Sequence, residues 1–103
     1  MPLNEINELR DSFIKQLSPK RIYLFGSFAK GTANQESDFD FYIVVNDGET
    51  DMPGLTASAY KAIRHKHSRP VDIIVGTESR FEERKNAFTL ENEIVKTGVL
   101  IYG

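Results

Sequence analysis

Asp38 and Asp40 stand one residue apart at the head of an apolar run, Ser37-Asp38-Phe39-Asp40-Phe41-Tyr42-Ile43-Val44-Val45, a short way downstream of a Gly26-Ser27 pair. A run this apolar predicts a buried strand, and two like charges at its end call for a counter-ion, of which a divalent cation is the simplest. Residues at i and i+2 share a strand face with Cα atoms roughly 6.5 Å apart, so both carboxylates can lean toward one point. Asp72 lies inside a separate apolar run, Val71-Asp72-Ile73-Ile74-Val75, where an isolated charge is costly. If that strand lies beside Asp40, three carboxylates make one oxygen cluster. Oxygen-only donors favour Mg²⁺ or Mn²⁺ over zinc or copper, and such a cluster can hold two ions roughly 3.5–4 Å apart. Each acid alone has a plainer account. Asp38 would be a solvated turn residue, and Asp72 the ion-pair partner of Arg69 or Arg21. The three together resist that account, because mutual repulsion would raise their pKa values unless a cation sat between them.

The Gly26-Ser27 pair follows the short apolar run Arg21-Ile22-Tyr23-Leu24-Phe25. A strand that ends in Gly-Ser and passes into a short helix turns backbone N–H groups outward toward a phosphate. Gly26 permits close approach, the Ser27 hydroxyl adds a donor, and Lys30 could add a positive charge. The segment is not a P-loop, since Thr32-Ala33 stands where Lys-Ser/Thr is required, and Phe28 excludes a dinucleotide fingerprint. Together, the acids and the turn read as a metal-dependent enzyme acting on a nucleoside triphosphate.

The elements that must position these residues follow from periodicity. Leu3, Ile6, Leu9, Phe13 and Leu17 form a helical stripe that Ser18-Pro19 ends. Residues 21–25 and 38–45 read as strands, with Ser27–Lys30 a short helix between them and Gly31 its left-handed cap. The polar link is too short for a crossover helix, so these two strands are expected to be antiparallel. Asn46 to Gly54 reads as a loop, Leu55–His67 as a helix with Leu55, Ala59, Ala62 and Ile63 inward, and Val71–Val75 as a third strand closed by Gly76. Ser79–Thr97 is expected to be helical with a break near Phe88-Thr89, burying Phe88, Leu90, Ile94 and Val95, and Val99–Tyr102 to add a short strand. The expected fold is α/β (α+β): a small mixed β-sheet with helices over one face.

At 103 residues the chain is expected to be one domain over residues 1–103. A formal charge of −2 argues against a protein-wide grip on nucleic acid, and the absence of cysteine excludes disulfides and thiolate metal sites. No apolar stretch is long enough to span a bilayer and the N-terminus lacks a signal core, which points to the cytoplasm. Lys61, Arg64, His65, Lys66, His67 and Arg69 form a basic run at the end of the third predicted helix. The first reading is a solvated helix end favoured by the dipole; the alternative is contact with nucleotide, RNA or an acidic partner. Tyr42 shares the aspartates' face and is expected to pack.

Gly26-Ser27, Gly31, Ser37-Asp38-x-Asp40 and a mid-strand Asp72 together resemble the nucleotidyltransferase superfamily typified by DNA polymerase beta. The likeness is greatest to its minimal nucleotidyltransferases, small proteins often paired with a helical partner of the HEPN type. The resemblance covers nearly the whole chain. It implies that Gly26 and Ser27 hold the outer phosphates of ATP or another triphosphate and that Asp38 and Asp40 bind both metal ions. It further implies that Asp72 binds the catalytic metal and helps deprotonate an acceptor hydroxyl, which attacks the α-phosphorus in line. Many relatives carry Arg at the positions of Phe28 and Lys30. Lys30 keeps the charge without the planar fork and Phe28 loses it, which implies a weaker grip on triphosphate. Larger relatives add a helical domain over the base and acceptor, so a partner or a second copy of the chain is expected to complete the site. The function implied is transfer of AMP from ATP to a hydroxyl on a partner toxin, making this chain the antitoxin of a pair. The alternatives are a binding module that neutralises a partner by docking, and a nucleotidyltransferase acting on a small molecule.

Overall fold

A computed structural model describes residues 2–103. Helix α1 (Leu3–Leu17) leads into β1 (Arg21–Phe25), the single-turn α2 (Ser27–Lys30) and β2 (Phe39–Val45), followed by α3 (Met52–Ala62) and β3 (Val71–Thr77). Two short helices, α4 (Glu78–Arg84) and α5 (Leu90–Thr97), precede β4 (Val99–Tyr102). The strands form one sheet in the order β3-β2-β1-β4. Strand β1 runs antiparallel to both β2 and β4, and β2 runs parallel to β3. The sheet is therefore mixed, as the short link between β1 and β2 requires, and α3 supplies the crossover that a parallel pair needs.

One face of the sheet carries Ile22, Leu24, Phe39, Phe41, Ile43 and Ile73, packed under α1 and α3 by Ile6, Leu9, Phe13, Leu17, Ala59 and Ile63. The Phe13 and Phe41 rings meet edge to face at 5.2 Å between centroids. The opposite face is also covered, but only in part. Phe81 of α4 and Ile94 of α5 cluster with Tyr42 and Val44, and Phe81 stacks on Tyr23 at 5.1 Å. Helices thus flank both faces, where the sequence predicted one. The second layer was hidden because α4 and α5 each bury few apolar side chains and rely on aromatic stacking and on ion pairs from Arg21 to Glu78 and Glu82 (3.9 and 3.2 Å).

Several boundaries also move. Helix α3 starts at Met52 because Asp51 caps it, its carboxylate accepting from the Gly54 amide at 3.0 Å. It ends at Ala62, and His65 adopts a left-handed φ of 67°, so the predicted helix to His67 is too long. The charged C-terminal stretch breaks between α4 and α5 near the predicted point. Phe88 and Val95 are exposed rather than buried, while Ile94 is buried. Strand β3 continues through Gly76, whose missing side chain leaves the space that the Tyr42 hydroxyl enters. No helix among the described residues is long and apolar enough to cross a membrane.

Candidate active site

The parallel register of β2 and β3 sets Asp40 directly opposite Asp72. Paired residues on neighbouring strands point to the same side. Their inner neighbours Phe41 and Ile73 are buried under α1 and α3, so both acids face the opposite layer, at the sheet end that α4 and α5 leave open. Asp40 is half-buried and Asp72 is exposed. Ile74, two residues beyond Asp72 on the same side, is 38% exposed and gives this surface an apolar step. Asp38 precedes the strand and is half-buried.

Electrostatics mark Asp40 as crowded by like charge. The Asp40 pKa is pushed up to about 6, first by burial, then by the charges of Asp72 and Asp38 and by a hydrogen bond shared with Asp72. The plain account of Asp72 fails, because Arg21 pairs with Glu78 and Glu82 and Arg69 donates to the carbonyls of Asn34 and Ser37. Among the described residues, neither Asp38, Asp40 nor Asp72 forms a salt bridge. No three acidic or imidazole groups there converge into a preassembled metal cage. Asp40 and Asp72 meet, and Asp38 adds its charge to the field at Asp40. An uncompensated, oxygen-only donor set of this kind suits a hard divalent cation.

Gly26 brings the turn to the acids. Its φ of 75° and ψ of −154° are open to glycine alone, and a Cβ there would collide with the Asp40 carboxylate. Asp40 thus lies across the Gly26 backbone, one residue beyond its registered partner Phe25. Among the described residues the Ser27 hydroxyl makes no hydrogen bond, and Gly31 closes α2 in the left-handed conformation. Lys30 is exposed and paired with Glu93 of α5 at 3.0 Å, so its ammonium is shared with that carboxylate. Phe28 turns into the core, 4.8 Å from the Phe39 ring.

Two neighbouring features read differently in three dimensions. Tyr42 packs: it is 1% exposed and donates to the buried Glu91 at 2.8 Å, while Arg84 donates to the same carboxylate at 3.1 Å. Burial pushes Glu91 up, but these donors and its own backbone outweigh burial and hold it below the usual range. Burial and the bond to Glu91 raise the Tyr42 hydroxyl. In the basic run, Lys61, Arg64, His65, Lys66 and His67 are exposed, but Arg69 is half-buried on the rings of Phe28 and Phe39. An arginine directly before Pro70 and two before Val71-Asp72 was the available signal, and charge periodicity alone could not separate it from its exposed neighbours.

A mixed sheet whose open end joins strand acids to a Gly-Ser turn is the frame of an enzyme that transfers nucleotidyl groups. The family model for the nucleotidyltransferase domain matches residues 6–97. The chain belongs to that family and is a nucleotidyltransferase. A "Putative protein adenylyltransferase" of Methanocaldococcus jannaschii is 28% identical over 97 residues, which is 94% of this chain and 90% of that protein. Among solved structures, the toxin–antitoxin complex MntA-HpeT, crystallised as a mutant, has a chain that is 26% identical, with a TM-score of 0.55 over 100% of this chain and 73% of that one. A "putative nucleotidyltransferase" of Sulfolobus solfataricus shares the fold at a TM-score of 0.61 and 21% identity, over 95% of this chain and 77% of that one.

Proposed function

We propose that the chain transfers AMP from ATP to a hydroxyl on a partner protein, in the cytoplasm, as the antitoxin of a toxin–antitoxin pair with a helical HEPN-type toxin. The observation that carries the chemistry is the in-register Asp40–Asp72 pair lying against Gly26. The protein acceptor is supported by the name of the M. jannaschii relative, and the pairing with a toxin by the MntA-HpeT neighbour.

In this reading Asp38, Asp40 and Asp72 would hold Mg²⁺ or Mn²⁺, two ions when fully loaded. The bound metal would neutralise charge developing on the phosphates and on the attacking and leaving oxygens. Gly26 and Ser27 present backbone amides and a hydroxyl to the outer phosphates, and Lys30 adds charge once it lets go of Glu93. Asp72, the exposed acid, accepts the proton of the acceptor hydroxyl. That oxygen forms a bond to the α-phosphorus as the α–β phosphoanhydride breaks, and pyrophosphate leaves. Positioning and charge neutralisation supply most of the catalysis.

Incubation with α-labelled ATP, Mg²⁺ and the product of the adjacent gene tests the reading. Label should pass to that protein and depend on Asp40 and Asp72. ATP bound without transfer would overturn it. Partner neutralisation that survives the Asp38→Asn, Asp40→Asn double variant would instead establish the docking module. Turnover of a free small acceptor by the isolated chain would establish the small-molecule enzyme.

A further inference from the structure

The Arg69 guanidinium lies 4.9 Å from the centre of the Phe28 ring and 5.3 Å from that of Phe39. One of its terminal nitrogens donates to two carbonyls of the loop before β2, Ser37 O at 3.0 Å and Asn34 O at 3.3 Å. That loop is closed on itself. The Asn34 amide donates to the Ser37 hydroxyl, and the Glu36 amide to the Asn34 side chain, both at 2.8 Å. The next residue along from Arg69 completes a grip: the Phe39 amide donates to Pro70 O at 3.0 Å. Asp38 is therefore bracketed, its preceding carbonyl held by Arg69 and its following amide held by Pro70. Two residues later the same segment carries Asp72. Phe28, under the guanidinium, belongs to the helix that starts at Gly26-Ser27. One side chain thus touches the loop that aims Asp38 and the helix that carries the turn, on the segment that leads into Asp72.

The arrangement is not an economical way to stabilise a fold. The Arg69 Nε is buried without a protein acceptor, and leaving such a donor unmatched costs stability. Lysine could keep the charge over the rings, but only a planar guanidinium presents several fixed N–H donors to carbonyls while stacked.

From this we infer that Arg69 is a positioning residue, which fixes the backbone on either side of Asp38 so that its carboxylate can turn toward the Asp40–Asp72 pair when a divalent cation binds. The inference rests on the metal-binding reading of the acids, and its test separates the two. Mn²⁺ alone is titrated into the full chain and free ion is read by electron paramagnetic resonance, for the parent, Arg69→Lys, Asp38→Asn, the double variant and Asp40→Asn. Arg69→Lys should weaken Mn²⁺ binding roughly tenfold, the scale of one lost hydrogen bond. It should weaken it no further once Asp38 is Asn, because Arg69 acts through Asp38. Phe28→Leu, which removes one stacking face and keeps apolar bulk, should show a smaller loss with the same dependence on Asp38. Independently of metal, exchange of the Phe39 amide with solvent should quicken in Arg69→Lys by a similar factor. Equal Mn²⁺ affinity in the parent and Arg69→Lys, or the same penalty with and without Asp38, overturns the role of Arg69. Mn²⁺ binding that ignores Asp40→Asn overturns the metal reading. In that case unchanged Phe39 exchange in Arg69→Lys also removes the positioning claim, and accelerated exchange retains it for the loop.

Discussion

Replacing Asp40 by Asn should stabilise the metal-free protein at neutral pH while removing its activity. The folded pKa of Asp40 is about 6 against an ordinary 3.8, so the folded chain holds this proton more tightly than the unfolded chain does. Below pH 4 the group is neutral in both states and exacts no penalty. As pH rises from about 4 through 6, the folded state must accept a charge beside Asp72 and Asp38, and stability drains away. A shift of about two pKa units corresponds to roughly 3 kcal/mol as a ceiling. Asp40 is only half-buried, and solvent screening brings the figure to about 1–1.5 kcal/mol. For a domain of this size that is a melting shift of about 4–10 °C. Thermal unfolding of the parent and Asp40→Asn, without metal, at pH 4 and pH 8, reads the effect directly. The variant should melt higher at pH 8, and the gap should close toward pH 4. Saturating Mn²⁺ should raise the parent and leave the variant in place. A gap that is the same at both pH values, or a parent more stable than the variant at pH 8 without metal, would refute the electrostatic account of this site.

Gly26→Ala should destabilise the chain by about 2 kcal/mol or more, from the positive φ and the collision with Asp40, and should abolish nucleotide transfer; urea unfolding and the labelled-ATP assay check both. Glu93→Gln frees Lys30 and should tighten ATP binding a few-fold in a calorimetric titration, whereas Lys30→Ala should weaken it, both effects shrinking in high salt. Tyr42→Phe takes a donor from buried Glu91 and should cost about 1–3 kcal/mol in urea unfolding, with transfer activity intact at a temperature where the variant is folded.

The parts of the candidate site that lie close together in sequence could be placed from it. Asp38, Asp40 and the Gly26-Ser27 turn fall within one hairpin-like stretch, where strand period and glycine chemistry decide the outcome. Asp72 was legible as an anomaly, a charge between Val71 and Ile73, but its place opposite Asp40 depends on a crossover through α3 that no local pattern encodes. Arg69 shows the opposite case. Its sequence neighbours are solvated bases, and only the fold reveals aromatic rings on one side and loop carbonyls on the other. Tyr42 and Gly76 became intelligible only as a pair, the missing Cβ of one making room for the hydroxyl of the other. The second helical layer was missed for a similar reason: α4 and α5 hold to the sheet through Phe81, Ile94 and ion pairs, too few apolar positions to announce a buried face.

The alignment of β2 with β3 also limits how this gene can vary. Sliding β3 by one residue would turn Asp72 inward among the packed aromatics and leave Val71 or Ile73 facing Asp40. Lengthening or shortening the exposed stretch from Arg64 to Ser68 need not disturb that alignment. A single codon gained or lost between Pro70 and Asp72 would. Insertions and deletions should therefore accumulate on one side of Arg69 and be purged on the other, and a deep insertion scan would draw that boundary residue by residue.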